Sequence, residues 1–574
     1  MKKTDNEKQN ERACALVFRI GRFSFAAAMV VGMAGTAYAY NWTGGAGDFQ
    51  LDKRGNWESE SSSANFIVNQ NPGQPFTVGG DGDFFGGKML RYSGDFTVTN
   101  DFGAAGALTN LGMTVSGSAF HVESGAKLVQ KSGGLRAFKT TYISDDKACF
   151  MLDGADAWFV QESGSLLLRS QGFDYAVRPM LIVTNGASLT VKSDMQIGVS
   201  RGNVSAYVCA VGAGSRIAAN KILIGDQEDR VKGSFTNLLA IADSAEASIN
   251  SFTVGYDRSN SGCEVVGGTV TVSNSFTLSR VTAASNCWMR IASGGTFTNL
   301  GTTAIGRAEV GNNARVYVSG AGSSFVGLGA STLNGGVFRV EDSGTAQMTN
   351  TLDITDGRIE SVGDNSSFSV SGRMNANGTN VVEGILNYST IYMNSDFSEL
   401  TFTNATVTGT RIEMTKPSTI RLYNTHLTLP SGLFMMGDGG GNDPVNNAYK
   451  RDVYVGGTDT WVRVNASNGF YVRGTNTTIH VEIPAEGFST SHPVFDLPKI
   501  YFQTGRRLRV EVTVDPKIKR DGSVYTLFRT SADDSCQSSS IDWVYDPQVI
   551  DIVKSGNNEV RVRVKRQGFM ITVH

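Results

Sequence analysis

The chain has 574 residues, enough for several domains or for one long repeat array with a continuous core. Only 18% of the residues are charged, and 67 glycines stand against 11 prolines, a balance that suits neither a helical bundle nor a disordered chain. The formal net charge of -2 removes any global electrostatic reason to expect nucleic acid or an acidic membrane as a partner, so charge arguments have to be local.

The first 39 residues read as a targeting segment. Lys2, Lys3, Arg12, Arg19 and Arg22 precede the uncharged run FSFAAAMVVGMAGTAYA, which ends in Ala37-Tyr38-Ala39. This pattern predicts a secretory signal peptide over 1–39 and a mature chain that starts at Tyr40, exported to the cell surface or medium, with the periplasm as the alternative. The competing reading is an uncleaved anchor, because a run of about seventeen residues reaches the lower limit for a span. No later stretch is long and apolar enough for a helix, so no membrane span is expected in the mature chain. Five cysteines follow the signal, Cys149, Cys209, Cys263, Cys287 and Cys536, an odd number for an oxidising compartment.

Residues 40–105 are read as an N-terminal cap with the first strands, and 106–490 as the repeat array. Similar segments recur: FHVESGAKLV, FMLDGADAWFV, LIVTNGASLTV, YVCAVGAGSRI, LAIADSAEASI, CEVVGGTVTV, MRIASGGTFT, VYVSGAGSSF and FRVEDSGTAQM. Their turn residues are Gly125, Gly154, Gly186, Gly212, Ala245, Gly267, Gly294, Gly320 and Gly344, in steps of 22 to 33 residues. A third short element recurs between them, as in MQIGVS, ILIGDQ and FTVGYD. Each strand alternates an apolar row with a Thr, Ser, Asn or Lys row. The turns call for residues that accept positive φ or bond their own backbone. One such unit cannot bury its apolar row, whereas stacked units can. The pattern predicts an all-β chain: a β-solenoid, like a parallel β-helix, with three short strands per coil. A long antiparallel sandwich is the competing fold, but it has no need to repeat one turn signature at coil length.

These units, together with the opening YNWTGGAGDFQLDKRGNW, resemble the repeats of bacterial autotransporter passenger domains and related secreted proteins, of the autotransporter-associated or PEP-CTERM-associated type. Phe49 stands where a middle Trp is common in that group. The resemblance implies an exported β-solenoid and is silent on activity, since such passengers include adhesins, toxins and degradative enzymes. A true autotransporter continues into a many-stranded membrane barrel. The segment after residue 490 is too short and too charged for one, so the chain resembles a passenger without its own transporter.

Residues 491–574 read as a small antiparallel β cap, with hairpin turns at Asp521-Gly522 and Ser555-Gly556-Asn557. Arg506, Arg507, Arg509, Arg561, Arg563, Lys565 and Arg566 would either form a cationic face for an anionic glycan or keep exposed edges from pairing; the second reading is favoured. Cys263 and Cys287 both follow Ser-[Gly/Asn] in consecutive coils, 24 residues apart. If they stacked, their separation would suit a disulfide; the favoured reading is two small buried side chains.

Little in the sequence points to catalysis. Asp145-Asp146 is the only adjacent Asp pair in the array, and the segments typical of polygalacturonase-like enzymes are absent. His121, His426, His480, His492 and His574 are scattered without a close pair, so no metal is expected. GGDGDFFGG (79–87) and GDGGGND (437–443) have a weak likeness to calcium-binding β-rolls, but they stand alone and read as loops; no cofactor is assigned. The expected function is a secreted or surface scaffold for adhesion or structure, binding extracellular polysaccharide or matrix and no nucleic acid. The alternative is a polysaccharide hydrolase or lyase whose acidic residues converge across coils. Three or more Asp, Glu, Arg or Lys within a groove on one face would favour the enzyme; a uniform Thr/Ser/Asn surface would favour the scaffold.

Overall fold

The structure is a computed structural model. It describes residues 140–567 apart from 145–147, 156, 170–178, 200–204, 226–236, 258–259, 281–283, 285, 308–313, 438–448, 466–468, 532–534 and 557; ahead of residue 140 it describes seven strands and positions 43, 45 and 57. The strands belong to one unit, Ala39–His574. Among the described residues there is no α-helix, and none of them forms a helix long and apolar enough to cross a membrane.

Period-two alternation becomes three stacked faces. In Arg315–Ser319, for example, Val316 and Val318 are buried while Arg315, Tyr317 and Ser319 point away from the core. Parallel, in-register pairing then places like positions above one another. On the first face one inward column runs Phe150, Leu181, Val208, Leu239, Cys263, Met289, Val316, Phe338, Ile359, Val382, Phe402, Leu422, Val455, Val481, Val512, Tyr545. The second face carries Ser188–Val191 and its successors, and the third Leu166–Arg169 and its successors. This is the three-strand coil that the repeats predict.

The parallel ladder passes both ends of the 106–490 span. It begins with Ala39–Asn41 against Asn65–Val68 and ends with Leu508–Val514 against Ile541–Tyr545. Among the described strands, antiparallel pairing involves only Glu559–Val564, which lies between Val524–Thr530 and Ile550–Ser555; elsewhere a single antiparallel bridge joins Ala242 and Gly267. The cap is therefore smaller than residues 491–574. Ser555-Gly556 does lead a hairpin, but Asp521-Gly522 does not: the strands before and after it, Leu508–Val514 and Val524–Thr530, pair on different faces.

The turn from the first to the second face corrects one sequence expectation. In Thr184-Asn185-Gly186-Ala187, Asn185 (φ 53°) and Gly186 (φ 86°) are both left-handed, and the Ala187 N–H donates to Thr184 O at 3.1 Å. Asp243-Ser244 and Asp342-Ser343 adopt the same pair of angles, so the left-handed residues are these and not Ala245 or Gly344. Smallness at the following position has a steric cause. A Cβ on Gly344 would lie 2.8 Å from Val318 O, and one on Gly295 2.4 Å from Val265 O, while Ala245 is fully buried. The longer turns Val211–Ser215 and Ser319–Ser323 use a buried serine instead: Ser323 Oγ donates to Ser319 O at 2.8 Å and accepts from Gly294 N–H one coil away at 3.0 Å.

Inside, rings from all three faces meet. Phe252, Phe276, Phe297, Phe325, Phe338 and Phe368 form a chain with successive centroids 4.8–5.6 Å apart, each contact worth about 0.5–1.5 kcal/mol beyond burial. Where the interruption after Met436 returns to the ladder, Arg451 is fully buried. Its guanidinium donates to Met414 O at 2.8 Å, Thr415 O at 2.7 Å and Tyr449 O at 3.0 Å, tying the returning chain to the corner of the coil before it.

Candidate functional site

In-register stacking sets the electrostatics of the outer faces, because side chains in one column stand about 4.8 Å apart and like charges there repel. The first face answers with alternation. Arg339 stands directly against Glu360 and bonds it at 3.2 Å, with Glu341 at 2.8 Å on its own strand. Glu360 and Glu383 are neighbours in the column, and Arg358 bridges them, contacting Glu360 and reaching Glu383 at 2.9 Å. Burial pulls the Arg339 guanidinium down, but Glu341 and Glu360 outweigh it and hold the group above its ordinary value. Arg421 pairs with Glu399 at 2.7 Å and is raised mainly by that bond.

Further along the same face the columns become aromatic and histidine-rich. Arg421, Tyr454, His480 and Glu511 occupy one column. Arg421 lies over the Tyr454 ring at 4.3 Å, and Tyr454 stacks on His480 at 4.1 Å. His480 contacts Asp452 Oδ1 through Nε2 at 3.1 Å and Glu511 Oε2 through Nδ1 at 2.9 Å. Burial pushes Asp452 up, but hydrogen bonds from His480 and Lys450 outweigh it and hold the carboxyl below its ordinary value.

The second face carries a parallel arrangement. Asp459 accepts from His426 Nε2 at 2.9 Å and from His492 Nε2 at 3.1 Å, and these bonds overcome partial desolvation to lower its pKa. Trp461 lies between the two rings, stacked on His426 at 5.0 Å and edge-on to His492 at 5.9 Å, with Arg463 over it at 4.8 Å. Both His–Asp steps span 33 residues. The histidines look scattered in the sequence and converge because that spacing is one coil; reading His and Asp positions modulo the repeat would have found them. Among the described residues no group of three or more His, Cys, Asp or Glu is placed to hold a metal ion.

The cationic set divides between two faces. Arg507 bonds Asp542 at 2.6 Å and Arg509 bonds Glu511 at 2.5 Å on the first face. On or just past the second-face strand, Arg561 bonds Glu559 at 2.6 Å, Lys565 bonds Asp551 at 2.9 Å, and Arg566 donates to Asp521 O at 3.1 Å. Arg506 is half-buried and Arg563 exposed. Cys263 lies opposite Met289, not Cys287, and both are free thiols buried in the core. Burial is the main cause that lifts Cys287, to about 12, and it lifts Cys263 further. Asp145-Asp146, the stretch 79–87 and residues 438–443 lie outside the described residues, as do His574 and the His121 side chain.

Comparison with models of protein families, with curated proteins and with solved structures gives no match.

Proposed function

We propose that the protein is an exported or cell-surface β-solenoid that serves as an adhesion or structural scaffold, in the manner of the passenger domains its repeats resemble, and that it meets extracellular polysaccharide or matrix. The observation that supports this is the axial pairing of charge: Arg339, Arg358, Arg421, Asp452, Asp459 and Glu511 each bond a neighbour along the ladder or on their own strand. Groups engaged in this way stiffen a face rather than wait for a substrate.

Asp452, His480 and Glu511 favour a second reading, a polysaccharide hydrolase or lyase, because two carboxylates converge on one ring. Hydrolysis of that kind needs a carboxyl held protonated near neutral pH. Asp452 is shifted the other way. The test is to incubate the chain with neutral and anionic polysaccharides, following both retention and the release of new reducing or unsaturated ends. Retention without new ends supports the scaffold; new ends that vanish in Asp452→Asn and Glu511→Gln establish the enzyme.

A further inference from the structure

His480 is held on both sides of its ring. It sits on the middle one of three successive first-face strands, Lys450–Gly456, Asn476–Ile483 and Leu508–Val514, which pair in parallel register. Its Nε2 lies 3.1 Å from Asp452 Oδ1 on the strand before, and its Nδ1 lies 2.9 Å from Glu511 Oε2 on the strand after. Neutral imidazole has one N–H and one acceptor nitrogen, whereas an ionised carboxylate only accepts. Satisfying both contacts at once therefore takes the imidazolium, the one form of the ring that donates from both nitrogens.

The surroundings suit that charge. From the strand before, Lys450 bonds the second oxygen of Asp452 at 3.0 Å; from the strand after, Arg509 bonds the second oxygen of Glu511 at 2.5 Å. Each carboxylate thus has one oxygen on a permanent cation and the other on His480. Tyr454, stacked on the imidazole at 4.1 Å with 6° between the planes, stands between His480 and Arg421 in the column, and an aromatic face attracts a cation. Glu482 follows two residues along on the His480 strand, and Asp542 stands opposite Arg509 in the next coil. The Asp452 side chain is 6% exposed and that of His480 21%, so solvent screens the pair weakly. His426 and His492 differ: each brings only Nε2 to Asp459, a bond that a neutral ring makes equally well.

We propose that His480 is a proton-operated clamp: as imidazolium it ties three consecutive coils together through Asp452 and Glu511, and loss of its proton releases one of the two links. A nitrogen stripped of its proton turns a lone pair toward a carboxylate oxygen, so the released contact becomes repulsive. The clamped form is the one that holds the proton, so the tie is present at lower pH and is lost as pH rises and the ring deprotonates. A stacked array opens by segments, so these three coils loosen while coils without a histidine keep their packing. This goes beyond the scaffold reading and does not depend on it.

The test uses the full chain with isotope-labelled histidine, the His480 ring being assigned through its contact with Tyr454, at about pH 5.5 and about pH 9, on either side of the range in which imidazole ordinarily changes charge. At the lower pH two ring N–H protons of His480 are expected to resist exchange with water, and at the higher pH only one. A second readout is amide protection over Lys450–Gly456, Asn476–Ile483 and Leu508–Val514, corrected for the intrinsic pH dependence of exchange. Between the two pH values it is expected to fall about tenfold or more in the parent and to stay within about threefold in His480→Gln, which has no proton to lose, and over Arg315–Ser319 in both chains. The same number of retained ring protons at both pH values, a fall in protection that persists in His480→Gln, or a fall spread evenly along the ladder would overturn the proposal.

Discussion

Replacing Arg451 with Met tests whether one buried guanidinium holds the ladder together across its interruption. The substitution keeps an unbranched apolar stem and removes donors from Met414 O, Thr415 O and Tyr449 O. Each charge-assisted bond is worth about 1.5–3 kcal/mol, and the relief of no longer burying a charge offsets part of the sum. Leaving three buried carbonyls without a donor costs about 1–3 kcal/mol each, so a net loss of about 3–5 kcal/mol is expected. A stacked array opens by segments rather than all at once, so the assay is amide exchange resolved over Arg411–Met414, Ser418–Tyr423 and Lys450–Gly456. At about tenfold per 1.4 kcal/mol, exchange there should accelerate by about a hundredfold or more, with strands such as Tyr207–Val211 unaffected. Arg451→Lys keeps the charge without the planar fork and should fall between. Exchange that stays within about threefold of the parent in Arg451→Met would show that the carbonyls find water as readily as the guanidinium, and the staple would be refuted.

Ser244 is left-handed at φ 67°, so Ser244→Gly should stabilise the chain by about 1 kcal/mol. Gly295→Ala should destabilise it, since its Cβ would lie 2.4 Å from Val265 O; urea titration separates the two signs. Asp452 has a lowered pKa in the fold, so its contribution is complete above the ordinary Asp range and is lost as pH falls through that range toward the folded value. The stability gap between parent and Asp452→Asn should narrow below about pH 4, and a gap constant from pH 7 to pH 2 would contradict the assignment. Cys149, Cys209, Cys263, Cys287 and Cys536 are all buried and free. Alkylation should label none of them in the native chain and all five after unfolding without reductant; two protected thiols would reveal a disulfide.

The fold was legible because each strand repeats its alternation and each coil its turn, and stacking is the arrangement that buries so many short rows. The turn residue was legible only in part. Gly344 is small because a carbonyl of the preceding coil, Val318 O, leaves no room for a Cβ, and Ala245 is fully buried, features that no single repeat displays. The cysteines illustrate the same limit. Aligning CEVVGG with MRIASGG already sets Cys263 against Met289, whereas the shared Ser-[Gly/Asn]-Cys motif suggests Cys287; register is governed by the apolar rows, and the structure follows them. Among the cationic residues, Arg509 with Glu511 and Arg561 with Glu559 were visible as neighbours two apart on one side of a strand. Asp542 and Asp551 came from strands whose pairing the sequence does not specify. The His426–Asp459–His492 cluster needed the coil length as well as the residue types.

The most direct test of in-register parallel stacking is a pair of cysteine substitutions on the second face. Thr271 and Thr298 are register partners in successive coils, and Val326 follows one coil later. A one-coil separation of about 4.8 Å lies within the range a disulfide accepts, whereas two coils, about 9.6 Å, lie outside it. The stacked solenoid predicts that Thr271→Cys with Thr298→Cys cross-links within one molecule and that Thr271→Cys with Val326→Cys does not. Equal cross-linking of both pairs, or preference for the second, would contradict it.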